Sequence, residues 1–559
     1  MNYKMGSVFI AAFFLSLNGF LSAQTVIRGP YLQSGTPTSV IVRWRTDQAT
    51  ASQVKYGVNL GNLNLQAGQN GSTTEHEVRL SNLSPDTKYY YAIGADSQTL
   101  AGGDERHFFI TSPLAGEAKP TRLWILGDSG TKNDNARAVR DAYYNFTGSR
   151  HTDLWLMLGD NAYSSGTDAQ YQQAVFENMY EDMLIKSVLW PTLGNHDVNS
   201  SSSPGPNPFH DIFTLPTNGE AGGLASGSES YYAFDYGNIH FICLNSNKKS
   251  EISTGSTMLT WLEEDLAAND KDWTIAFWHH PPYSKGTHDS DSDKPLVLMR
   301  QFAVPILEDG GVDLILSGHS HNYERSYLID GHYGDSGSFD NSMLVDGGDG
   351  RIDGDGAYKK RTLGVAPHEG AVYVVAGSSG QAGKGSFDHP VMLYAQKILG
   401  SLVLDIENNR LEATFIDDQG SVVDYFTMIK GNFEVGPPAQ LVMVSGDNQS
   451  ALVGTALSSP LVVAVKDASN NPVSGVAVSF VVASGDATLQ ESQPVRTAAN
   501  GRAQATLLLG ATPGRIQVTA TAAGLSDSLV TFTATGLEGQ QDTTPPAPPL
   551  NVRVQVGGE

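Results

Sequence analysis

The chain has 559 residues, 40% of them hydrophobic, which is enough for several domains. Its 59 acidic and 35 basic residues leave a net charge of −24. That balance excludes nucleic acid as a bulk partner, because neutralising a phosphate backbone needs clustered Lys and Arg. It also gives no long-range attraction to anionic substrates, so any such attraction has to be local.

Residues 1–24 read as a secretory signal: Lys4 supplies the positive start, Val8 to Leu17 the apolar stretch, and Ser22-Ala23-Gln24 small residues for cleavage. No later stretch has the length and apolar character of a transmembrane helix, so the expected location is secreted or cell-surface. The one cysteine, Cys243, falls in the strand-like run Ile239–Leu244 and reads as a buried, inert thiol, leaving an exported chain without disulfides.

Residues 25–113 alternate in polarity at period two, as in Ser39-Val40-Ile41-Val42-Arg43-Trp44, with Pro and Gly between short strands, and so predict a β-sandwich. The stretch from Leu83 to Ala92 resembles a corner of fibronectin type III modules. From 120 to 430 apolar strands alternate with helical stretches, predicting an α/β domain. Strands are expected at Arg122–Leu126, Leu154–Leu158, Ile239–Leu244, Trp273–Phe277, Val312–Leu316 and Val372–Ala376. Tyr171, Val175, Met179 and Met183 predict one helix face, and Met258, Leu259, Leu262 and Leu266 another.

An acidic, Gly-rich insertion runs from Gly331 to about Gly370. Its Asp spacing does not fit an EF-hand, and it is expected to be a substrate-side loop. After Gly436-Pro437-Pro438, residues 439–536 return to β character, rich in Val, Ala, Ser and Thr. The run Val465-Lys466-Asp467-Ala468-Ser469-Asn470-Asn471-Pro472-Val473 resembles bacterial immunoglobulin-like repeats of surface adhesins. Residues 537–559 read as a stiff Pro/Thr linker and the start of a further module.

Five strings in the middle segment carry the chemistry: Gly127-Asp128-Ser129-Gly130, Gly159-Asp160-Asn161-Ala162-Tyr163, Gly194-Asn195-His196-Asp197, His279-His280-Pro281-Pro282 and Gly318-His319-Ser320-His321. Each falls where a strand would end, the position at which α/β sheets bind ligands. Carboxylate, amide and imidazole donors gathered this way suit a pair of hard or borderline cations, and such a pair suits phosphate ester hydrolysis. Asp160 is the natural bridging carboxylate. His319 and His321, two apart, point to one side if their segment is extended. Tyr163 favours a trivalent ion, because a phenol with a reference pKa of about 10 ligates only beside a strongly acidifying cation. Any one string alone reads more readily as a turn; five in order do not.

The strings resemble the metal-binding blocks of purple acid phosphatases, within the calcineurin-like metallophosphoesterase superfamily, and the resemblance spans roughly residues 25–430. It implies that Asp128, Asp160, Tyr163 and His321 hold Fe(III), while Asp160, Asn195, His279 and His319 hold a divalent iron, zinc or manganese. It implies that His196 and His288 face substrate, although Gly286-Thr287-His288-Asp289 also reads as a solvated loop. His280 beside His279 leaves two choices of ligand; the Pro two residues after His279 favours His279. Ala276-Phe277-Trp278 departs from the Val usual before that block. Glu324 and Arg325 are expected to form a structural ion pair.

The architecture expected is therefore multidomain: an all-β sandwich, an α/β metallophosphoesterase sandwich of two sheets flanked by helices, and an all-β Ig-like sandwich. The function implied is a secreted phosphatase that hydrolyses phosphate monoesters with a hydroxide activated on the metal pair. A phosphodiesterase or nucleotidase on the same core is the nearer alternative. A surface adhesin with an incidental phosphatase domain, contacting cell surface or polysaccharide through its C-terminal module, is the other.

Overall fold

In the computed structural model the described residues are 24–538, apart from 96–97, 178, 199–206, 432–435, 469–472, 499–500 and 526–528. The signal expected at 1–24 (Gln24 aside) and nearly all of the linker expected at 537–559 lie outside them. The chain forms two compact units, residues 24–352 with 357–430, and residues 431–538 with 353–356.

The first unit begins with a six-stranded β domain whose backbone is the 19-residue strand Ser39–Gly57. This strand pairs with Val26–Gln33, Leu65–Ser81 and Lys88–Ala95, and register shifts between Arg45 and Ser52 let it bend and serve more than one neighbour. The inward side chains Tyr31, Val42, Trp44, Val54 and Tyr91 are buried.

Two seven-stranded sheets follow. One runs in the order Tyr232–Tyr236, Ile239–Cys243, Trp273–Trp278, Leu314–Ser317, Val372–Ala376, Tyr323–Ser326, Met392–Gln396. The other runs Tyr358–Lys360, Val422–Lys430, Arg410–Asp417, Gly400–Glu407, Thr121–Leu126, Leu154–Met157, Val188–Pro191. The expected strands all exist, with ends shifted by a residue or two. The parallel ones are buried along their whole length and mostly apolar, because both faces are covered. Helix Asp134–Thr147 stacks Tyr143 on Trp124, ring centroids 4.3 Å apart. Helix Thr257–Ala268 buries Met258, Leu259, Leu262 and Leu266 as expected. Cys243 is buried and free, and burial pushes its thiol up to about 12.

The other helix expectation needs correction. Tyr171, Val175, Met179 and Met183 are all buried, but on broken pieces: Asp168–Tyr171, π-helical turns over Gln172–Phe176, an extended Glu177, then Glu181–Leu184. The wide π turns and the break at Glu177 re-aim the chain, so equal spacing in sequence does not make one continuous face.

The acidic insertion also differs from a simple substrate-side loop. It leaves and rejoins the sheet where Ile329 bridges Ala371, and Lys360 Nζ lies 2.6 Å from Asp313, the residue before strand Leu314–Ser317. That is the strand end away from His319. Only its first part reaches the other way, where the Ser336 amide donates to Asp291 at 2.8 Å.

The second unit has its own core, including Val463, Val465, Phe480, Val518 and Phe532. Its largest sheet orders Gln449–Leu452, Leu529–Leu537, Gly514–Ala522, Ala477–Ser484 and Val495–Arg496.

Candidate metal centre

Each of the five strings sits at the C-terminal end of a parallel strand: Asp128 after Thr121–Leu126, Asp160 after Leu154–Met157, Asn195 after Val188–Pro191, His279 after Trp273–Trp278 and His319 after Leu314–Ser317. The first three belong to one sheet and the last two to the other, so the strings meet where the two sheets adjoin. Asp128, Asp160 and His319 take φ of +56°, +52° and +65°, a left-handed conformation that costs free energy outside glycine and turns the chain sharply at the strand end.

Close approach of the strings explains the glycine that precedes a donor. A Cβ on Gly194 would lie 2.0 Å from the Asp160 amide nitrogen, and one on Gly318 would lie 2.5 Å from Asp128 Oδ2. Either would push two donor strings apart.

Each carboxylate keeps one oxygen on a backbone amide of another string. Asp128 Oδ2 accepts from the His319 N–H at 2.7 Å, and Asp160 Oδ1 accepts from the His196 N–H at 2.8 Å. Asp128 Oδ1 accepts from the Tyr163 hydroxyl at 3.1 Å and stands 3.4 Å from His321 Nε2. Tyr163 Oη is 3.3 Å from that same nitrogen. His279 Nδ1 donates to the Leu158 carbonyl at 2.9 Å, which fixes the tautomer and leaves Nε2 to face Asn195 Oδ1 at 3.0 Å, His319 Nδ1 at 3.2 Å and Asp160 Oδ1 at 3.5 Å. All seven expected donors are thus brought into one cluster.

His319 and His321 do not converge as an extended pair. The Ser320 amide donates to the Gly318 carbonyl and the Asn322 amide to the Ser320 carbonyl, both at 2.7 Å. Two tight turns send His319 to the His279 side and His321 to the Tyr163 side. His280 stays beside the cluster, its ring 4.3 Å from that of His319 and a ring nitrogen within 4.8 Å of those of His279 and His319, but its Nδ1 pairs with Ser246 Oγ at 2.7 Å, and burial holds its pKa well below the usual imidazole value.

The donor set fits two cations. Ligand atoms of Asp128, Asp160 and His279 lie within 4.8 Å of one another, and all three residues are buried. Burial pushes the Asp160 carboxyl up, with Asp128 adding to it. For Asp128 burial acts the same way, but His279, His321 and His319 outweigh it and hold the carboxyl low. Burial, then Asp128 and Asp160, drive the Tyr163 phenol far upward. A half-buried phenol facing two carboxylates, with imidazole nitrogens turned towards each other, is an arrangement that cations would relieve.

Around this cluster, His196 donates Nδ1–H to the Ser164 carbonyl at 2.7 Å and sets its ring 4.6 Å from Tyr163. His288 lies on the other side, its ring centroid 3.7 Å from that of His319. One member of the strings, Asp197, has a role that residue type alone did not reveal. Asp197 accepts from the Gly194 amide, the Asn161 amide and side chain, and the Tyr171 hydroxyl, at 2.7–3.1 Å. Burial and Asp160 raise it to about 6. It ties the second and third strings together.

Glu324 and Arg325 do not pair. Adjacent strand residues point to opposite faces: Arg325 binds Asp424 at 2.6 and 2.9 Å, whereas Glu324 accepts from the Lys285 amide at 3.2 Å.

Comparison with known proteins agrees with this geometry. Residues 121–323 match the calcineurin-like phosphoesterase family, residues 28–111 the purple acid phosphatase N-terminal domain, and residues 444–535 the bacterial Ig-like domain (group 1). Purple acid phosphatase 15 of Arabidopsis thaliana is 28% identical over 281 residues, covering 45% of this chain and 50% of that protein. Purple acid phosphatase 23 of the same plant is 27% identical over 354 residues, covering 53% and 74%. Among solved structures, the purple acid phosphatase PPD1 from yellow lupin (Lupinus luteus) seeds superposes with a TM-score of 0.56 at 18% identity, over 72% of this chain and 74% of that one. The chain spans between half and three quarters of the length of these two plant relatives.

The middle of the molecule is therefore a calcineurin-like phosphoesterase domain. More particularly, it stands behind a purple acid phosphatase N-terminal domain and ahead of a bacterial Ig-like domain.

Proposed function

We propose that this chain is a secreted or cell-surface binuclear-metal phosphatase that hydrolyses phosphate monoesters. The carrying observation is the convergence of two buried carboxylates, a phenol, an amide and three imidazoles from five strand ends. Asp128, Tyr163 and His321 would hold Fe(III); Asn195, His279 and His319 would hold a divalent iron, zinc or manganese; Asp160 would serve both. When bound, the pair supplies Lewis-acid polarisation of a phosphoryl oxygen and acidification of water.

The chain's residues supply the rest. The Leu158 carbonyl and the amides of His196 and His319 orient the donors before any ligand arrives. His196, anchored through Nδ1 and one third exposed, turns Nε2 towards Asp160 at 3.9 Å. When protonated it donates to a phosphoryl oxygen. His288, also about one third exposed, hands a proton to the departing alkoxide as its bond to phosphorus breaks.

Elemental analysis together with an absorption spectrum and paired assays tests the reading. We expect two metals per chain, one of them iron, a visible absorption band, and faster turnover of p-nitrophenyl phosphate than of its bis ester. A protein that stays metal-free after reconstitution refutes the reading, and a faster bis ester moves it to a diesterase.

The Ig-like match favours a second role for residues 444–535, contact with a cell-surface polymer. A chain ending at Lys430 should bind cell-wall polysaccharide less well than the full chain; equal binding removes this role.

A further inference from the structure

Asp293 lies outside the five strings, yet its Oδ2 faces two imidazoles. It stands 3.0 Å from Nδ1 of His288 and 3.7 Å from Nε2 of His319. The rings lie over one another, 31° apart in plane. Nδ1 of His319 points the other way, into the donor cluster, and its Nε2 has no hydrogen-bond partner within ordinary reach.

Helix capping does not account for Asp293. It precedes helix Lys294–Leu298, but its side chain makes no cap bond there. Nor does the loop depend on it for its shape. Lys285 Nζ binds Asp289 at 2.6 Å and Asp291 at 2.8 Å, Arg300 Nη1 donates to the Ser290 carbonyl at 2.6 Å, and the Ser336 amide holds Asp291 from the insertion.

Building on the phosphatase reading, we propose that Asp293 is a positioning residue that sets the tautomer of His288. It keeps a proton on Nδ1 of His288, so that Nε2 is the nitrogen presented to the leaving-group oxygen. A carboxylate behind a ligating or proton-donating imidazole does this elsewhere in metal sites, and its loss costs about 10–100-fold in activity or metal affinity.

The test compares Asp293→Asn and Asp293→Glu with the full-length wild type. Nitrogen-15 NMR of the neutral His288 ring reads the tautomer without reference to turnover. We expect Nδ1–H in the wild type and in Asp293→Glu, and loss of that preference in Asp293→Asn. In the metal-loaded enzyme, Asp293→Asn should lower kcat about 10–100-fold with a smaller change in KM. The double variant with His288→Ala should be no slower than His288→Ala alone, because the two residues act as one unit. An unchanged tautomer in Asp293→Asn, or losses that multiply in the double variant, overturns the proposal. A wild type with the expected tautomer but no phosphatase turnover overturns the function and leaves the Asp293–His288 pairing standing.

Discussion

Tyr163 is the donor furthest from its ordinary ionisation. Its hydroxyl is hemmed by Asp128 and His321, and both burial and the carboxylates resist loss of its proton. Only a highly charged cation reverses that, and a phenolate on Fe(III) absorbs visible light. Tyr163→Phe should therefore bind iron but lack the visible band, as read by elemental analysis and absorption on one sample; a coloured variant refutes the ligation. His288 makes a separate claim. His288→Ala should slow alkyl phosphates at least about tenfold more than p-nitrophenyl phosphate, whose leaving group needs no proton. Equal losses would remove His288 from proton donation. At this scale the convergence of these side chains is legible in the sequence, because Asp, Asn and His recurring at successive strand ends, most of them after a Gly, have few other reasons to do so. Asp293 was not, since an Asp among Asp289, Asp291 and Asp293 in a polar loop has no spacing that points at His288. The Glu324–Arg325 pairing failed for a simpler reason: neighbours along a strand face apart.

Elements show a similar division. Continuous apolar runs such as Trp273–Trp278 are legible because strands buried on both faces leave no polar alternation. The segment from Tyr171 to Met183 was misjudged because residues four apart stay buried even when the helix between them is broken. His240 shows what pairing adds. It sits on strand Ile239–Cys243 with Nδ1 2.7 Å from Asp235 on the neighbouring strand and Nε2 2.8 Å from Asp265 on helix Thr257–Ala268. Burial opposes its charge, but the hydrogen bonds to Asp235 and Asp265 outweigh it and raise the pKa from 6.5 to about 9. A raised value means the protonated ring stabilises the fold. The contribution is complete below the unfolded pKa and is lost as pH rises through about 9. Its size is about 3 kcal/mol. Unfolding midpoints of the wild type should fall between about pH 7 and pH 10, and the fall should be smaller in Asp265→Asn, which keeps an acceptor but loses the charge. Parallel curves for the two proteins would show that His240 is neutral in the fold.

Across the whole molecule, the change of pattern near residue 113 is visible in the sequence, but the apolar contacts do not stop there. Tyr31, Trp44 and Tyr91 of the N-terminal β domain belong to the same continuous buried cluster as Trp124, Trp155 and Phe176. Tyr31 Oη donates to the Ile212 carbonyl at 2.6 Å, Tyr91 Oη to the Ile185 carbonyl at 2.9 Å, and Gln33 Nε2 to the Leu189 carbonyl at 2.9 Å. Arg28 and Arg45 both reach Asp168, at 3.0 and 2.7 Å. Asp168 opens the short helix that ends in Tyr171, whose hydroxyl donates to Asp197 of the third string. A physical path thus runs from the N-terminal domain to the donor cluster, and polarity patterns could not reveal it because each tyrosine also reads as an ordinary core residue of its own domain. Deleting residues 24–113 would expose this face and leave the Ile185, Leu189 and Ile212 carbonyls without their partners. Each lost hydrogen bond costs about 1 kcal/mol, and each large aromatic no longer buried costs about 2–3 kcal/mol. The truncated chain should therefore lose the cooperative transition of the phosphoesterase sheets, keep only that of the C-terminal unit with its own core, and fail to take up stoichiometric metal, whereas Arg28→Ala, which loses one of the two arginines on Asp168, should keep both transitions and the metal. Calorimetry and elemental analysis on the two variants decide it. A truncated chain that melts like the full one and binds two metals would mean that the phosphoesterase sheets close their core alone, and that the N-terminal domain is carried for another purpose.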